Sequence, residues 1–268
     1  MLDIIMDEFH FSTLWNGGIF LFAMFAAIIY FFLLPASQKH SWWKSFAFIA
    51  GLIVIFIAIA SPLNVTGRIK FSTHSLQLVL VLLVAPPLLI FGFKTKIVER
   101  VKSIGSMKKV VSVLTKPIVA SAIFQVVFYS YHIPFIFNFA RLDLYLNYFF
   151  LLALFLSAVL LWFPILSSNQ LTSGQKWKYS FANIILLTPF SLILFFANTG
   201  LYAIYSDINL FMSALALCLP DLTEVPPEFF ASLLPFDPVH EQWLGSLYFF
   251  VGIIISFTIV NFLSSKRT

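Results

Sequence analysis

"HSLQLVLVLLVAPPLLIFG", His74 to Gly92, is an apolar run without a single Asp, Glu, Lys or Arg, opened by a histidine and a glutamine three residues apart and broken by two consecutive prolines. About 20 apolar residues in a row cross the hydrocarbon core of a bilayer. Working outward, similar runs occupy residues 12–34, 43–63, 71–93, 117–140, 144–166, 179–198 and 244–263. With 60% hydrophobic and only 10% charged residues in a chain of 268, the apolar residues form blocks rather than stripes. The expectation is an all-α, polytopic membrane protein of seven transmembrane helices forming a single domain. The first run follows Asp3, Asp7 and Glu8 and lacks a basic leader or a small-residue cleavage site, so it reads as a retained helix.

Charge orients these spans. Lys39, Lys44, Lys94, Lys96, Arg100, Lys102, Lys108, Lys109, Lys116, Lys176, Lys178, Lys266 and Arg267 fall in the loops of one side. Arg68, Lys70 and Arg141 are left for the other, which also holds every acid except Glu99. Cytoplasmic loops carry the excess of Lys and Arg, which places the N-terminus outside and the C-terminus inside. The basic 94–116 segment is expected to lie against anionic headgroups. No nucleic-acid partner is expected, because a loop tethered between two spans needs none. The long outer connection, 199–243, contains no Lys or Arg, and its apolar part, about 210–219, is too short to cross. It reads as an interfacial or re-entrant helix.

Several function classes drop out. The span centres carry no acid or base, which argues against an ion-coupled pump. The last span has no lysine for a retinal Schiff base. One cysteine, Cys218, excludes an internal disulfide and any paired-cysteine motif. There is no phosphate-binding glycine loop and no internal repeat. No activated nucleophile or acid–base pair stands out, so the chain does not read as an enzyme.

What remains polar is a set of histidines. His74 and His132 lie near the outer ends of spans 3 and 4, His10 and His240 in outer segments, and only His40 inside. Imidazole ligates copper, zinc and haem iron, and Met212 and Cys218 are soft potential ligands. A histidine near a helix end also serves as an ordinary hydrogen-bonding group, and loop Met and Cys as packing residues. Pro86 and Pro87 leave the carbonyls of Leu82 and Leu83 without helical donors, so span 3 should bend and face other helices. Pro134 should bend span 4 by freeing the Ser130 carbonyl, and Pro189 should bend span 6.

"FSTHSLQLVLVLLVAPPLLIFGF" resembles the signature span of the CtaG family of bacterial cytochrome c oxidase (caa3-type) assembly factors, in which a histidine and a glutamine precede A-P-P-L-L. "FYSYHIPFIFNFA", "LYAIYSD" and "HEQWLGS" resemble three further motifs of that family in the same order, across about residues 60–250, and the bacilli-type branch is the nearest in pattern. The resemblance implies seven spans in the bacterial plasma membrane and a role in maturing a haem–copper oxidase, at the step that supplies copper to its catalytic subunit. It places the family's functional positions on His74, Gln77, Pro86, Pro87, His132, Pro134, Tyr202, Tyr205, Asp207, His240, Glu241 and Gln242. Leu78 stands where many members carry a second histidine, and about Leu144, Asn147 and Tyr148 stand where many carry H-x-x-E-H. A two-histidine chelate on one helix is thus absent. Copper would be held transiently, by His74 and His132 from different spans, with His240, Met212 or Cys218 as further ligands. The alternatives are a membrane chaperone that clamps an oxidase subunit without metal, and a haem-handling protein with bis-histidine ligation.

Overall fold

The computed structural model describes residues 10–35, 41–94, 96, 105–166, 170–217 and 237–265. Among these every regular element is helical. A short α1, Phe11–Leu14, precedes α2, Gly17–Ile28, which runs into a π-helical turn, Ile29–Leu33. The expected first span is therefore interrupted: Asn16 caps α2 by accepting from the Ile19 N–H at 3.1 Å, and the capped start cannot continue the preceding turn. Next come α3 (Trp42–Ala60), α4 (Pro62–Ile69) and α5 (Phe71–Leu78), which passes through a π turn, Val79–Val84, into α6 (Ala85–Gly92). Then follow α7 (Gly105–Leu114), α8 (Pro117–His132), α9 (Pro134–Leu142), α10 (Leu144–Leu166) and α11 (Ser173–Phe196). A 3₁₀ turn at Ala203–Tyr205, α12 (Ile208–Ala216) and α13 (Pro238–Ser265) complete the order.

Five helices are long and apolar enough to cross a membrane: α3, the continuous α5–α6 unit, α10, α11 and α13. A sixth is reached if α7 and α8, bent by 71° at their junction, are counted together. The helix Gly17–Leu33 is shorter than these. The α5–α6 unit is the most enclosed of the five, with 56% of its apolar window buried, so span 3 is the central rod, as its prolines implied. The Leu82 carbonyl freed by Pro86 accepts from Trp162 Nε1 of α10 at 2.8 Å. The Trp162 ring is fully buried and stacks on Phe257 of α13 at 4.4 Å. A neighbouring helix thus supplies the donor that lipid cannot. Close backbone approach finishes the packing: a Cβ at Gly252 would come within 2.7 Å of Val79, and one at Gly92 within 2.5 Å of the Lys44 carbonyl.

Consecutive rods run antiparallel. The Asn16 N–H reaches the Ala60 carbonyl at one end of the bundle, and Tyr30 Oη donates to the Gly92 carbonyl at the other. Lys94 Nζ at that second end donates to the Tyr30 and Leu34 carbonyls, neutralising the C-terminus of the first rod. The loop charges separate accordingly. Lys44, Lys94, Lys108, Lys109, Lys116, Lys176 and Lys178 cluster at one end, and Arg68, Lys70, Arg141, Asp143, Asp207, Asp237 and Glu241 at the other.

Two further expectations need correction. Span 4 does not run from 117 to 140: α8 stops at His132, Ile133 is extended (φ −62°, ψ 124°), and Pro134 is the first residue of the separate helix α9. Pro134 therefore starts a helix rather than bending one, a position where its missing N–H costs nothing. The last helix begins at Pro238, six residues before the expected 244, so His240, Glu241 and Gln242 belong to its first turns and not to the loop. The expected short helix in the long connection is present as α12, capped by Asp207, which accepts from Asn209 N at 2.8 Å and Leu210 N at 3.2 Å. Cys218 and His40 lie outside the described residues.

Candidate functional site

The histidine end of the bundle is built on the first turns of α5. His74 and Gln77 are one helical turn apart and share a face, and both are fully buried. Gln77 Nε2 donates to the Ala58 carbonyl at 2.8 Å and to Asn64 Oδ1 at 2.9 Å, which leaves its Oε1 toward His74 Nδ1 at 3.0 Å. An amide oxygen only accepts, so Nδ1 carries the proton and Nε2 keeps its lone pair. That lone pair faces Tyr131 Oη at 3.4 Å.

His132 is the last residue of α8, where Pro134 ends the helix. Its Nδ1 lies 2.7 Å from the Phe128 carbonyl, so it too is protonated at Nδ1. Its Nε2 is buried and has no hydrogen-bond partner among the described residues. The ring sits between Phe128 and Phe190, at centroid distances of 4.2 and 4.3 Å. Tyr131 and Phe137 join the two imidazoles: Phe137 is 5.3 Å from His74 and 6.3 Å from His132, and Tyr131 is 6.1 and 5.0 Å away respectively. Tyr202 donates to the His132 carbonyl at 3.1 Å and stacks on Phe71 at 5.1 Å.

Beside this pair lie two arginines that sequence reasoning used only for orientation. Arg68 and Arg141 are 2% and 1% exposed. Each reaches the C-terminal carbonyls of the other's helix: Arg68 Nη1 donates to Arg141 O at 3.3 Å, and Arg141 Nη2 to Gly67 O at 2.5 Å. Carbonyls at helix C-termini carry partial negative charge, which holds two guanidinium groups close together. Tyr205 Oη donates to Gly67 O at 2.9 Å and accepts from Arg141 Nη2 at 3.4 Å, while Arg141 Nη1 has no partner among the described residues. Burial pushes the phenols of Tyr202 and Tyr205 up, although Arg141 opposes this at Tyr205, so both stay neutral donors. The available signal was a basic residue immediately flanking a span on the side where bases are scarce. Nothing in the sequence marked the two as neighbours.

The other expected residues separate into two groups. Glu241 pairs with Lys70 at 3.0 Å and accepts from Ser72, tying α13 to the start of α5. Gln242 accepts from Leu201 N at 2.9 Å and donates to the Leu194 and Thr199 carbonyls, fixing the end of α11. These belong to the scaffold of the site. His240 is exposed and stacks on Trp243 at 6.0 Å, Asp207 is an exposed helix cap, and Met212 lies half-buried on α12. Pro86 and Pro87 are buried deeper down, in the first turn of α6. Leu78 and Asn147 are both buried, and Asn147 Oδ1 has no partner among the described residues. No group of three or more His, Cys, Asp or Glu side chains is assembled to hold a metal among the described residues.

The model of the cytochrome c oxidase caa3 assembly factor family (Caa3_CtaG) matches residues 19–265 of this chain. The chain belongs to that family. No curated protein and no solved structure matches it. The Caa3_CtaG match runs from within α2 to the end of α13, so the histidine end, the central rod with its two prolines and the last helix all fall within family sequence.

Proposed function

We propose that this protein assists maturation of the catalytic subunit of a caa3-type haem–copper oxidase, with the histidine end outside the plasma membrane and monovalent copper as its transient cargo. The reading takes the Gly17–Leu33 helix and α8 as spans too, giving seven, with the N-terminus outside and the C-terminus cytoplasmic. The observation that carries it is the state of the imidazoles. Both are held as Nδ1–H tautomers by fixed acceptors, and the buried His132 Nε2 offers a lone pair that no described residue uses. An outer acceptor that fixes the tautomer is the usual support of a metal-binding histidine. The donors suit copper. The absence of a larger cluster among the described residues suits brief possession rather than a resident metal. The protein supplies position and exchange, and no bond-making step is assigned to it.

The test is copper per haem in the oxidase purified from cells carrying His132→Ala or His74→Ala, at matched levels of the variant proteins. The copper reading expects low copper with normal haem. Normal copper with normal oxidase yield sinks it. Normal copper with little oxidase points to the second reading, a metal-free chaperone, for which the partnered Nε2 of His74 speaks.

A further inference from the structure

Helix α7, GSMKKVVSVL, lies at the basic end. At 100° per residue Val110, Val111, Val113 and Leu114 share one side, while Lys108, Lys109 and Ser112 share the other. Part of the apolar side is uncovered among the described residues: Val110 and Val113 are 54% and 44% exposed, while Val111 and Leu114 are half-buried. The helix meets α8 at 71°. Membrane helices tilt on average by about 20° from the bilayer normal, so a helix at such an angle to α8 runs close to the membrane plane. Its polar side carries two lysines and no acid.

We propose that α7 is an in-plane anchor that seats its valines at the acyl boundary and its lysines among anionic phospholipid headgroups. An exposed apolar face backed by lysines has the pattern of interfacial helices whose binding depends on negative lipid. Charge selects the occupant: a neutral or basic protein surface gains nothing from Lys108 and Lys109, whereas a phosphate layer does. The anchor fixes the foot of α8, the helix that ends in His132.

The test uses the full-length protein with Cys218→Ser and a spin label at Val110→Cys, Val113→Cys or Ser112→Cys. The samples are vesicles of phosphatidylcholine alone or mixed with phosphatidylglycerol. In the mixed vesicles the labels at 110 and 113 should be several-fold more accessible to oxygen than to a water-soluble nickel chelate, with the order reversed at 112. The contrast should fall in phosphatidylcholine and become independent of lipid charge in the folded Lys108→Gln/Lys109→Gln variant. Equal accessibility at all three positions overturns the proposal, as does a contrast that ignores lipid charge in the parent. Labels at 110 and 113 shielded from both reagents also overturn it, because a protein surface then covers the face.

Discussion

Gln77 determines what His74 can do. Its two donated bonds to Ala58 and Asn64 orient the amide, and the amide sets the tautomer of the imidazole. Gln77→Leu keeps the bulk but leaves a buried carbonyl, an amide oxygen and an imidazole N–H without this partner. A loss of about 1–3 kcal/mol is expected, read as a lower unfolding midpoint of the purified protein in detergent. An unchanged midpoint would mean that water substitutes for the amide. Arg141 is the second decisive residue. Arg141→Gln removes the donor to Gly67 O and Tyr205 at the junction of α4 and α9. Bonds from charged donors contribute about 1.5–3 kcal/mol, so this variant should also unfold at lower temperature. Arg141→Lys should recover only part of the loss, since a compact, strongly hydrated ammonium replaces the planar, weakly hydrated guanidinium at a buried site. Full recovery with lysine would show that charge alone suffices.

At the scale of elements, the proline pair and Trp162 form one device. The freed Leu82 carbonyl would be stranded in an apolar interior without the indole donor. Trp162→Phe should therefore cost about 1–2 kcal/mol. In a Pro86→Ala background, where residue 86 regains an N–H for that carbonyl, the same substitution should cost less, and the double-mutant cycle measures the difference. Additive effects would separate the tryptophan from the prolines. The need for an outside donor was legible from "APP" alone, because the missing N–H groups are covalent facts. Its identity was not, since Trp162 is 80 residues away and only packing brings it in. Local chemistry likewise explains the two misread helix ends. Pro134 both obstructs α8 and starts α9, and the choice between a kink and a break depends on the φ/ψ of Ile133, which composition leaves open. The start of α13 was misplaced because Pro238 to Trp243 is polar, yet Glu241 and Gln242 find partners inside the bundle.

For the whole molecule, the apolar blocks made the class and most of the rods readable, since lipid solvent leaves a chain few ways to satisfy its backbone. The two histidines were readable as rare polar groups near span ends, whereas Arg68 and Arg141 became neighbours only through the crossing of α4 and α9. The separation of charge between the two ends also emerged in three dimensions, and it sets up the test of orientation. In a Cys218→Ser background, single cysteines at the exposed positions Gly105 and Gly174 mark the basic end, and at Ser213 and Asp237 the histidine end. The positive-inside bias predicts that a membrane-impermeant maleimide labels the second pair in intact spheroplasts and the first pair only after permeabilisation. Copper handling outside the plasma membrane requires that pattern, because His74 and His132 share the end marked by Ser213 and Asp237. The reverse pattern would put both imidazoles on the cytoplasmic side and end the outer-face reading, whatever the copper content of the oxidase.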